Sequence, residues 1–106
     1  MKLGIILYSN DAEVIWNAFR LASLSLAEKD EVKVFFLAKG VEYESLSTEK
    51  YNILKLAQDF INSGGKILAC GTCLKLRQKD SSELCPLSTL KDLYQLVKES
   101  DKVLTF

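Results

Sequence analysis

Two cysteines separated by two residues are the densest chemical signal in the chain. They lie in the sequence Cys-Gly-Thr-Cys at positions 70–73. At a spacing of three residues both side chains fall on roughly one face of a helix, so Cys73 is close enough to attack a sulfur atom held on Cys70 or to form a disulfide with it. Because the thiolate is the reactive form of cysteine, the pair predicts thiol chemistry wherever the local structure favours a thiolate.

The neighbouring segments predict such a structure. Residues 66–70 form a short apolar run typical of a buried strand, and the segment from Gly71 to Arg77 is predicted to be a short helix. A thiol at this junction lies beside unpaired backbone N–H groups and the positive end of the helix dipole, which stabilise a thiolate. The predicted site has two catalytic residues and a rim: Cys70 and Cys73, surrounded by Gly71, Thr72, Lys75 and Arg77.

Other interpretations of the cysteines are weighed against this one. A cysteine at the end of a buried strand can be a packing residue. Structural zinc needs four ligands, whereas the chain has three cysteines and no histidine, so no metal is predicted within one chain, although a site shared between subunits stays open. A thioredoxin-type dithiol has the same spacing but normally follows the first strand and faces a cis-proline, so it is the weaker alternative. Cys85, beside Pro86, is predicted to be a spectator.

Composition excludes several classes of protein. The chain has 106 residues, 48% of them apolar, which fits a single domain over residues 1–106. Fourteen Lys and Arg balance fourteen Asp and Glu, which argues against a nucleic-acid or anionic-membrane partner. The absence of histidine removes Ser-His-Asp triads and Cys-His dyads. Gly64-Gly65 is better explained as a helix stop than as a phosphate cradle, so no cofactor is predicted.

The chain is predicted to work in the cytoplasm. Its first apolar run, Leu3–Tyr8, is about a third as long as a membrane-spanning helix and leads into polar residues rather than a cleavage site. An odd number of cysteines, two of them three residues apart, differs from the even, spread pattern of secreted disulfide frameworks. The expectation is free thiols in a reducing compartment and no membrane partner.

Alternating strands and helices must position the cysteines. Single helices between apolar strands predict an α/β three-layer sandwich around a mainly parallel five-stranded sheet, with the first strand near its centre. The loops after the first three strands should then share the edge at which ligands bind in such sheets. The predicted strands are Leu3–Tyr8, Val32–Leu37, Lys66–Cys70, a short edge strand near Leu84-Cys85, and Lys102–Phe106.

The helices are predicted from apolar residues at helical spacing and from residues that can cap them. They are Asp11–Lys29 with Asn10 as its cap, Tyr51–Ser63, Gly71–Arg77, and a last helix capped by Ser88-Thr89. The segment 41–48 is predicted to be irregular and the segment 78–83 to be a polar loop.

Several individual side chains also receive a predicted place. Trp16 and Phe19 are assigned to the core, whereas Glu42, Tyr43 and Glu44 are assigned to a solvated turn that rims the site.

Apolar residues on several helix faces exceed what one thin sandwich can bury, which favours a homo-oligomer. The residues concerned are Trp16, Phe19, Leu24, Tyr94 and Leu96.

Four segments together resemble the DsrE/DsrF-like (YchN-like) family, and the resemblance covers essentially the whole chain. The segments are the Cys-Gly-Thr-Cys at the end of the third strand, the stretch from Phe35-Phe36 to Gly40-Val41, Tyr51-Asn52-Ile53 at the start of a helix, and the final Asp101–Phe106. The cysteine pair and the closing segment are most similar to the small stand-alone members.

This resemblance implies a fold, an assembly and a chemistry. The fold is a five-stranded parallel sandwich of the DsrEFH type, and the assembly is a homotrimer or a hexamer. By position Cys70 resembles the cysteine that accepts sulfane sulfur as a persulfide in sulfur-relay members, and Cys73 resembles the second cysteine of the YchN-like subset. The implied function is sulfur carriage, with sulfurtransferase activity, and the implied partners are sulfur donor and acceptor proteins or small sulfur compounds.

Two alternatives of other classes stay open. The chain could be a non-catalytic oligomeric module for interaction or regulation with the same fold. It could also be a redox protein that cycles the Cys70 and Cys73 thiols through a disulfide.

Overall fold

A parallel sheet forms the centre of the molecule. The structure, a computed structural model, describes residues 1–82, 84 and 86–106. In these ranges the sheet has five strands, all parallel, in the order β4-β3-β2-β1-β5. The strands are β1 Lys2–Leu7, β2 Glu31–Phe36, β3 Lys66–Cys70, β4 Leu87–Ser88 and β5 Lys102–Thr105. The predicted α/β fold is confirmed, but the middle strand is β2, because β5 pairs with the outer side of β1.

Four α-helices and one 3₁₀ segment connect the described strands. They are α1 Ala12–Ala27, the 3₁₀ segment Ala38–Leu46, α2 Ile53–Asn62, α3 Gly71–Leu76 and α4 Leu90–Glu99. The crossovers from β1 to β2 and from β2 to β3 run in one direction across the sheet, whereas the crossover from β4 to β5 runs back. Since such crossovers are right-handed, α1 and α2 cover one face and α4 covers the other.

The ends of the helices differ slightly from those predicted. Asp11, not Asn10, is the cap of α1, and its carboxylate accepts the N–H of Val14 at 3.1 Å. The last helix is capped by Thr89, which forms a capping box with Asp92. Each difference is one or two residues, because neighbouring polar residues can serve equally well as caps.

Aromatic side chains fill the core beneath α1. The ring centroids of Phe19 and Phe60 lie 5.7 Å apart in an edge-on contact. The ring of Tyr43 stacks on that of Phe36, with the centroids 4.0 Å apart. Phe19 is therefore a core residue as predicted, and Trp16 is half-buried against the same cluster.

The assignment of Tyr43 to a solvated turn is wrong. Tyr43 belongs to the 3₁₀ segment, which directs its ring into the core, where none of it is exposed. Its hydroxyl donates a hydrogen bond to the carbonyl of Leu84. The 3₁₀ segment also replaces the irregular chain predicted for residues 41–46, whereas residues 47–48 are irregular as predicted.

The fourth strand lies beyond the position predicted for it. The expected edge strand near Leu84-Cys85 is β4, Leu87–Ser88, on the other side of Pro86. Ala69 N–H donates to the Pro86 carbonyl at 3.0 Å, so the proline contributes its carbonyl to the edge pairing. Cys85, predicted to be a spectator, and Glu83, at the end of the predicted polar loop, lie outside the described residues.

The 3₁₀ segment passes very close to the end of β1. A Cβ atom at Gly40 would lie 2.1 Å from the carbonyl oxygen of Leu7, so the crossing requires glycine. Leu37 N–H also donates to that same carbonyl at 2.9 Å. The chain that leaves β2 is therefore fixed against the end of β1, beside the point where β3 ends.

Candidate functional site

Cys70 lies where β3 ends and α3 begins. It is the last residue of the strand and the cap of the helix, and its Sγ atom accepts the N–H of Cys73 at 3.4 Å. The side chain is buried, with 8% of the residue exposed. The strand-to-helix junction predicted from the sequence is therefore present, and it surrounds the thiol with protein on most sides.

Gly71 allows the neighbouring edge strand to approach this junction. A Cβ atom there would lie 3.0 Å from a methyl group of Leu87 and 3.1 Å from the carbonyl oxygen of Ser88. The absence of a side chain at position 71 therefore lets β4 form one wall of the site.

Cys73 lies between Cys70 and the chain that leaves β2. Its Sγ atom accepts the N–H of Ala38 at 3.3 Å, and it is in side-chain hydrogen-bond contact with Cys70. Ala38 has a positive φ of 51°, a left-handed conformation that turns its N–H toward the sulfur. The loops after β2 and β3 thus meet at one edge of the sheet, as the parallel topology predicts.

Burial and the Cys70 thiol together raise the pKa of Cys73. Loss of solvent is the larger cause, and the hydrogen bond with Cys70 is the next. The Ala38 N–H and the Arg77 guanidinium oppose this shift, but less strongly. Cys73 is therefore a thiol at neutral pH, available to donate its S–H to the sulfur of Cys70.

Arg77 turns away from the thiols toward the 3₁₀ segment. Its Nε atom donates to a carboxylate oxygen of Glu42 at 2.8 Å, and its Nη1 atom donates to the Cys73 carbonyl at 3.2 Å. Both side chains of the ion pair are about one-quarter to one-third exposed, 26% for Arg77 and 31% for Glu42. Arg77 therefore holds the backbone of α3 against the 3₁₀ segment and does not line the space above the cysteines.

That space is an open cleft of about 460 Å³. Five of the residues that line it were selected as site residues from the sequence: Cys70, Gly71, Thr72, Cys73 and Lys75. Four were not: Leu87, Ser88, Thr89 and Leu90. The second group comes from β4 and the start of α4, which pairing with β3 brings alongside the cysteines. Leu87 and Leu90 are apolar, exposed and close to a turn. That combination is the signal from which this side of the cleft could have been predicted.

The described residues offer thiols rather than a metal centre. Across 1–82, 84 and 86–106, no three Cys, Asp or Glu side chains come together as a metal-binding group. Nor does this part of the chain contain a helix that could cross a membrane. What the site offers is two free thiols, one buried and one half-buried, at the base of a cleft.

Three comparisons relate the chain to other proteins. The model of the DsrE/DsrF-like family matches residues 1–106. The uncharacterized protein MJ0989 of Methanocaldococcus jannaschii is 38% identical over 100 residues, 89% of this chain and 88% of the relative. The uncharacterized protein MK0008 of Methanopyrus kandleri is 37% identical over 100 residues, 89% of this chain and 83% of the relative. A solved structure, the conserved protein of unknown function BT1422 from Bacteroides thetaiotaomicron, has a TM-score of 0.78 at 16% identity, covering 99% of this chain and 94% of that one, and shows the same fold.

Proposed function

The chain belongs to the DsrE/DsrF-like family, and from that premise we propose that it is a sulfur carrier that holds sulfane sulfur as a persulfide on Cys70. The observation that supports this most directly is the position of the Cys70 sulfur, which accepts the Cys73 N–H and contacts the Cys73 thiol at the base of the cleft. The sulfur that would carry the persulfide therefore lines the cleft and has a second cysteine beside it.

Loading from a small donor such as thiosulfate is a substitution at sulfur. The Cys70 thiolate attacks the outer sulfur of thiosulfate, a Cys–S–S bond forms, and the S–S bond of the donor breaks. Sulfite leaves with the electron pair. Of the described residues that line the cleft, Lys75 is the charged one, and its ammonium suits an anionic donor.

Delivery follows the same chemistry in reverse. The thiolate of an acceptor protein attacks the outer sulfur of the persulfide, and the Cys70 thiolate leaves. No external oxidant or reductant is consumed, so the protein acts as a sulfurtransferase between a donor and an acceptor. The proposal includes a cytoplasmic site of action, which suits free thiols, and a homotrimeric or hexameric assembly.

Intact-mass measurement tests the proposal. The reduced protein is incubated with thiosulfate or polysulfide, desalted and weighed. We expect a gain of one sulfur, about 32 Da, in Cys73→Ser, in which no second thiol lies beside Cys70, and no gain in Cys70→Ser. A Cys73→Ser variant that gains no mass from either donor, or a Cys70→Ser variant that gains as much as Cys73→Ser, contradicts it.

Dithiol–disulfide exchange is the second candidate. The neighbouring positions of the two cysteines favour it, because adjacent thiols can be oxidised to a disulfide. Reduction of insulin disulfides by the reduced protein distinguishes the two functions, since a sulfur carrier leaves insulin intact.

A further inference from the structure

The arrangement of the two cysteines suggests a second outcome for the bound sulfur. We propose that Cys73 is an internal resolving thiol, which cleaves the persulfide on Cys70 and releases the outer sulfur as hydrogen sulfide. This activity rests on the proposed persulfide at Cys70 and goes beyond it, because it converts sulfane sulfur to sulfide without an acceptor protein.

The Cys73 sulfur is held in place from both sides. The Ala38 N–H reaches it at 3.3 Å from the 3₁₀ segment, and Cys70 contacts it from the end of β3. The backbone beneath it is fixed as well, because the Cys73 N–H bonds to the Cys70 sulfur and Arg77 bonds to the Cys73 carbonyl. A reacting group held beside its target in this way reacts far faster than one that must diffuse to it.

The two sulfurs of a persulfide on Cys70 differ in access. The inner sulfur is the Cys70 Sγ atom, which is buried below Gly71 and the β4 wall and has Cys73 as its immediate thiol neighbour. The outer sulfur extends from it into the cleft. An external thiolate therefore meets the outer sulfur and takes it up, whereas Cys73 is positioned to attack the inner one.

Attack at the inner sulfur gives defined products. Cys73 loses its proton, its sulfur forms a bond to Cys70 Sγ, and the bond between Cys70 Sγ and the outer sulfur breaks. The outer sulfur leaves with the electron pair as hydrosulfide, which a proton converts to hydrogen sulfide. The two cysteine sulfurs are oxidised to a disulfide and the sulfane sulfur is reduced. A dithiol reductant must then restore both thiols before the next cycle.

The test follows sulfide and protein mass together. A Cys85→Ser background leaves Cys70 and Cys73 as the only pair that can form a disulfide. The protein is loaded with polysulfide without oxygen, rapidly desalted and incubated without added thiol. Hydrogen sulfide is trapped with monobromobimane while the intact mass is recorded.

We expect the protein carrying Cys73 to release about one sulfide per persulfide and to end about 2 Da below its reduced mass. A mapped Cys70–Cys73 disulfide should account for that loss. With Cys73→Ser and Cys73→Ala, the extra sulfur should persist on the order of a hundredfold longer, the loss that even a 1 Å displacement of a reacting group can cause. Circular dichroism establishes that both variants are folded.

Each outcome has one interpretation. Loading followed by loss of sulfur at the same rate with and without Cys73 overturns the resolving role and leaves the carrier proposal intact. Release of sulfide without the mapped disulfide does the same. If no protein in the series gains sulfur, the persulfide proposal fails and the resolving role fails with it.

Discussion

Cys73 holds its proton more tightly than an ordinary thiol, because burial raises its pKa and contact with Cys70 raises it further. A raised pKa means a smaller thiolate fraction at any given pH. Iodoacetamide, which reacts with thiolates, should therefore modify Cys73 slowly near neutral pH and faster as the pH passes 9.0, the ordinary value for this group. Peptide mapping after labelling at a series of pH values measures this directly.

Replacement of the neighbouring thiol should shift that profile. Cys70→Ala removes the hydrogen bond and the charge that raise the pKa of Cys73, so labelling should begin at lower pH. Lys75→Gln is the control, and it should leave the profile where it is. The same maps follow Cys70, which should react before Cys73 in the native protein. Labelling of Cys70 only after denaturation would identify it as a packing residue and remove the basis for a persulfide.

Arg77 contributes to stability through two partners on different elements. The Glu42 carboxylate and the Cys73 carbonyl both accept hydrogen bonds from its partly buried guanidinium. Arg77→Gln should lower the free energy of unfolding by about 1 kcal/mol, the value typical of one or two such bonds. Urea titration measures the change. Lys79→Gln alters an exposed cation nearby and should have almost no effect, so equal losses for the two variants would contradict this role.

At the scale of elements, the crossing of the 3₁₀ segment over the end of β1 depends on Gly40. An alanine methyl there would lie 2.1 Å from a backbone oxygen, so one of the two chains must move. Gly40→Ala should destabilise the protein by roughly 1–3 kcal/mol, as other overpacked sites do. Because Ala38 is two residues away, the variant should also change the rate at which Cys73 is alkylated.

Gly64→Ala provides the matched control for that prediction. Gly64 has a φ of 101° and open space where its Cβ atom would lie, so alanine there costs only backbone strain of about 1 kcal/mol or slightly more. Its effect should remain local to the end of α2. If the Cys73 labelling rate changed equally in both variants, the crossing at Gly40 would not be what positions Cys73.

The capping box of α4 should make part of the stability depend on pH. The backbone N–H and then the side chain of Thr89 lower the pKa of Asp92 below its ordinary value of 3.8. The unfolded chain therefore binds a proton at Asp92 more readily than the folded chain does. The stability that the ionised Asp92 contributes is lost as the pH falls below 3.8 and through the lowered pKa. Asp92→Asn should destabilise the protein clearly near neutral pH and much less at about pH 2.

Chemical denaturation at both pH values tests this. Thr89→Ala removes the weaker of the two hydrogen bonds and keeps the backbone one, so it should retain most of the pH dependence. A difference between wild type and Asp92→Asn that is constant with pH would contradict the assignment.

The four longer strands were predictable because each is a mainly apolar run with a polar boundary, whereas the two-residue β4 was not. β3 begins and ends at the predicted residues, and the other long strands differ by one or two. The 3₁₀ segment was not predictable, because it is mostly polar and the burial of its one aromatic residue, Tyr43, depends on Phe19 and Phe36, which belong to other elements. Local pattern predicts an element, whereas the packing partner decides which of its side chains is buried.

The same distinction applies to the candidate site. The spacing of Cys70 and Cys73 and the end of β3 could be read directly from neighbouring residues. The contacts of Ala38 and Arg77 join residues that are 35 positions apart in the chain, and no local pattern encodes them. The β4 wall likewise depends on sheet order, which places Leu87 beside Ala69.

At the scale of the whole molecule, an apolar surface remains uncovered along α4. Leu90, Tyr94 and Val97 recur at helical spacing and are 73%, 61% and 48% exposed. Phe19 and Leu96 were also assigned to the apolar surface, and that prediction is wrong because both are buried in the core of the chain itself. Leu24 and Tyr94 are exposed as predicted. Because the apolar surface consists of several neighbouring side chains along α4 and not of one, it still favours assembly.

We predict that this surface takes part in self-association and that the proposed homotrimer or hexamer forms in solution at micromolar concentration. Tyr94→Glu places a charge on the α4 surface and should shift the distribution to smaller species. Tyr8→Glu changes an aromatic residue of similar exposure, 53%, at another place and is the control. Sedimentation velocity measures all three proteins, and a wild-type protein that sediments as a monomer refutes the prediction.

β1 and β5 lie side by side in the sheet, although Lys2 and Asp101, which meet at its edge, are 99 positions apart. A ribosome that adds about 5 to 20 residues per second therefore leaves the outer side of β1 without its partner for roughly 5 to 20 seconds. The cysteine end of β3 is synthesised well within that time. The nascent chain thus carries the unpaired edge of the long strand β1, of the kind that chaperones protect, until the shorter strand β5 emerges and covers it.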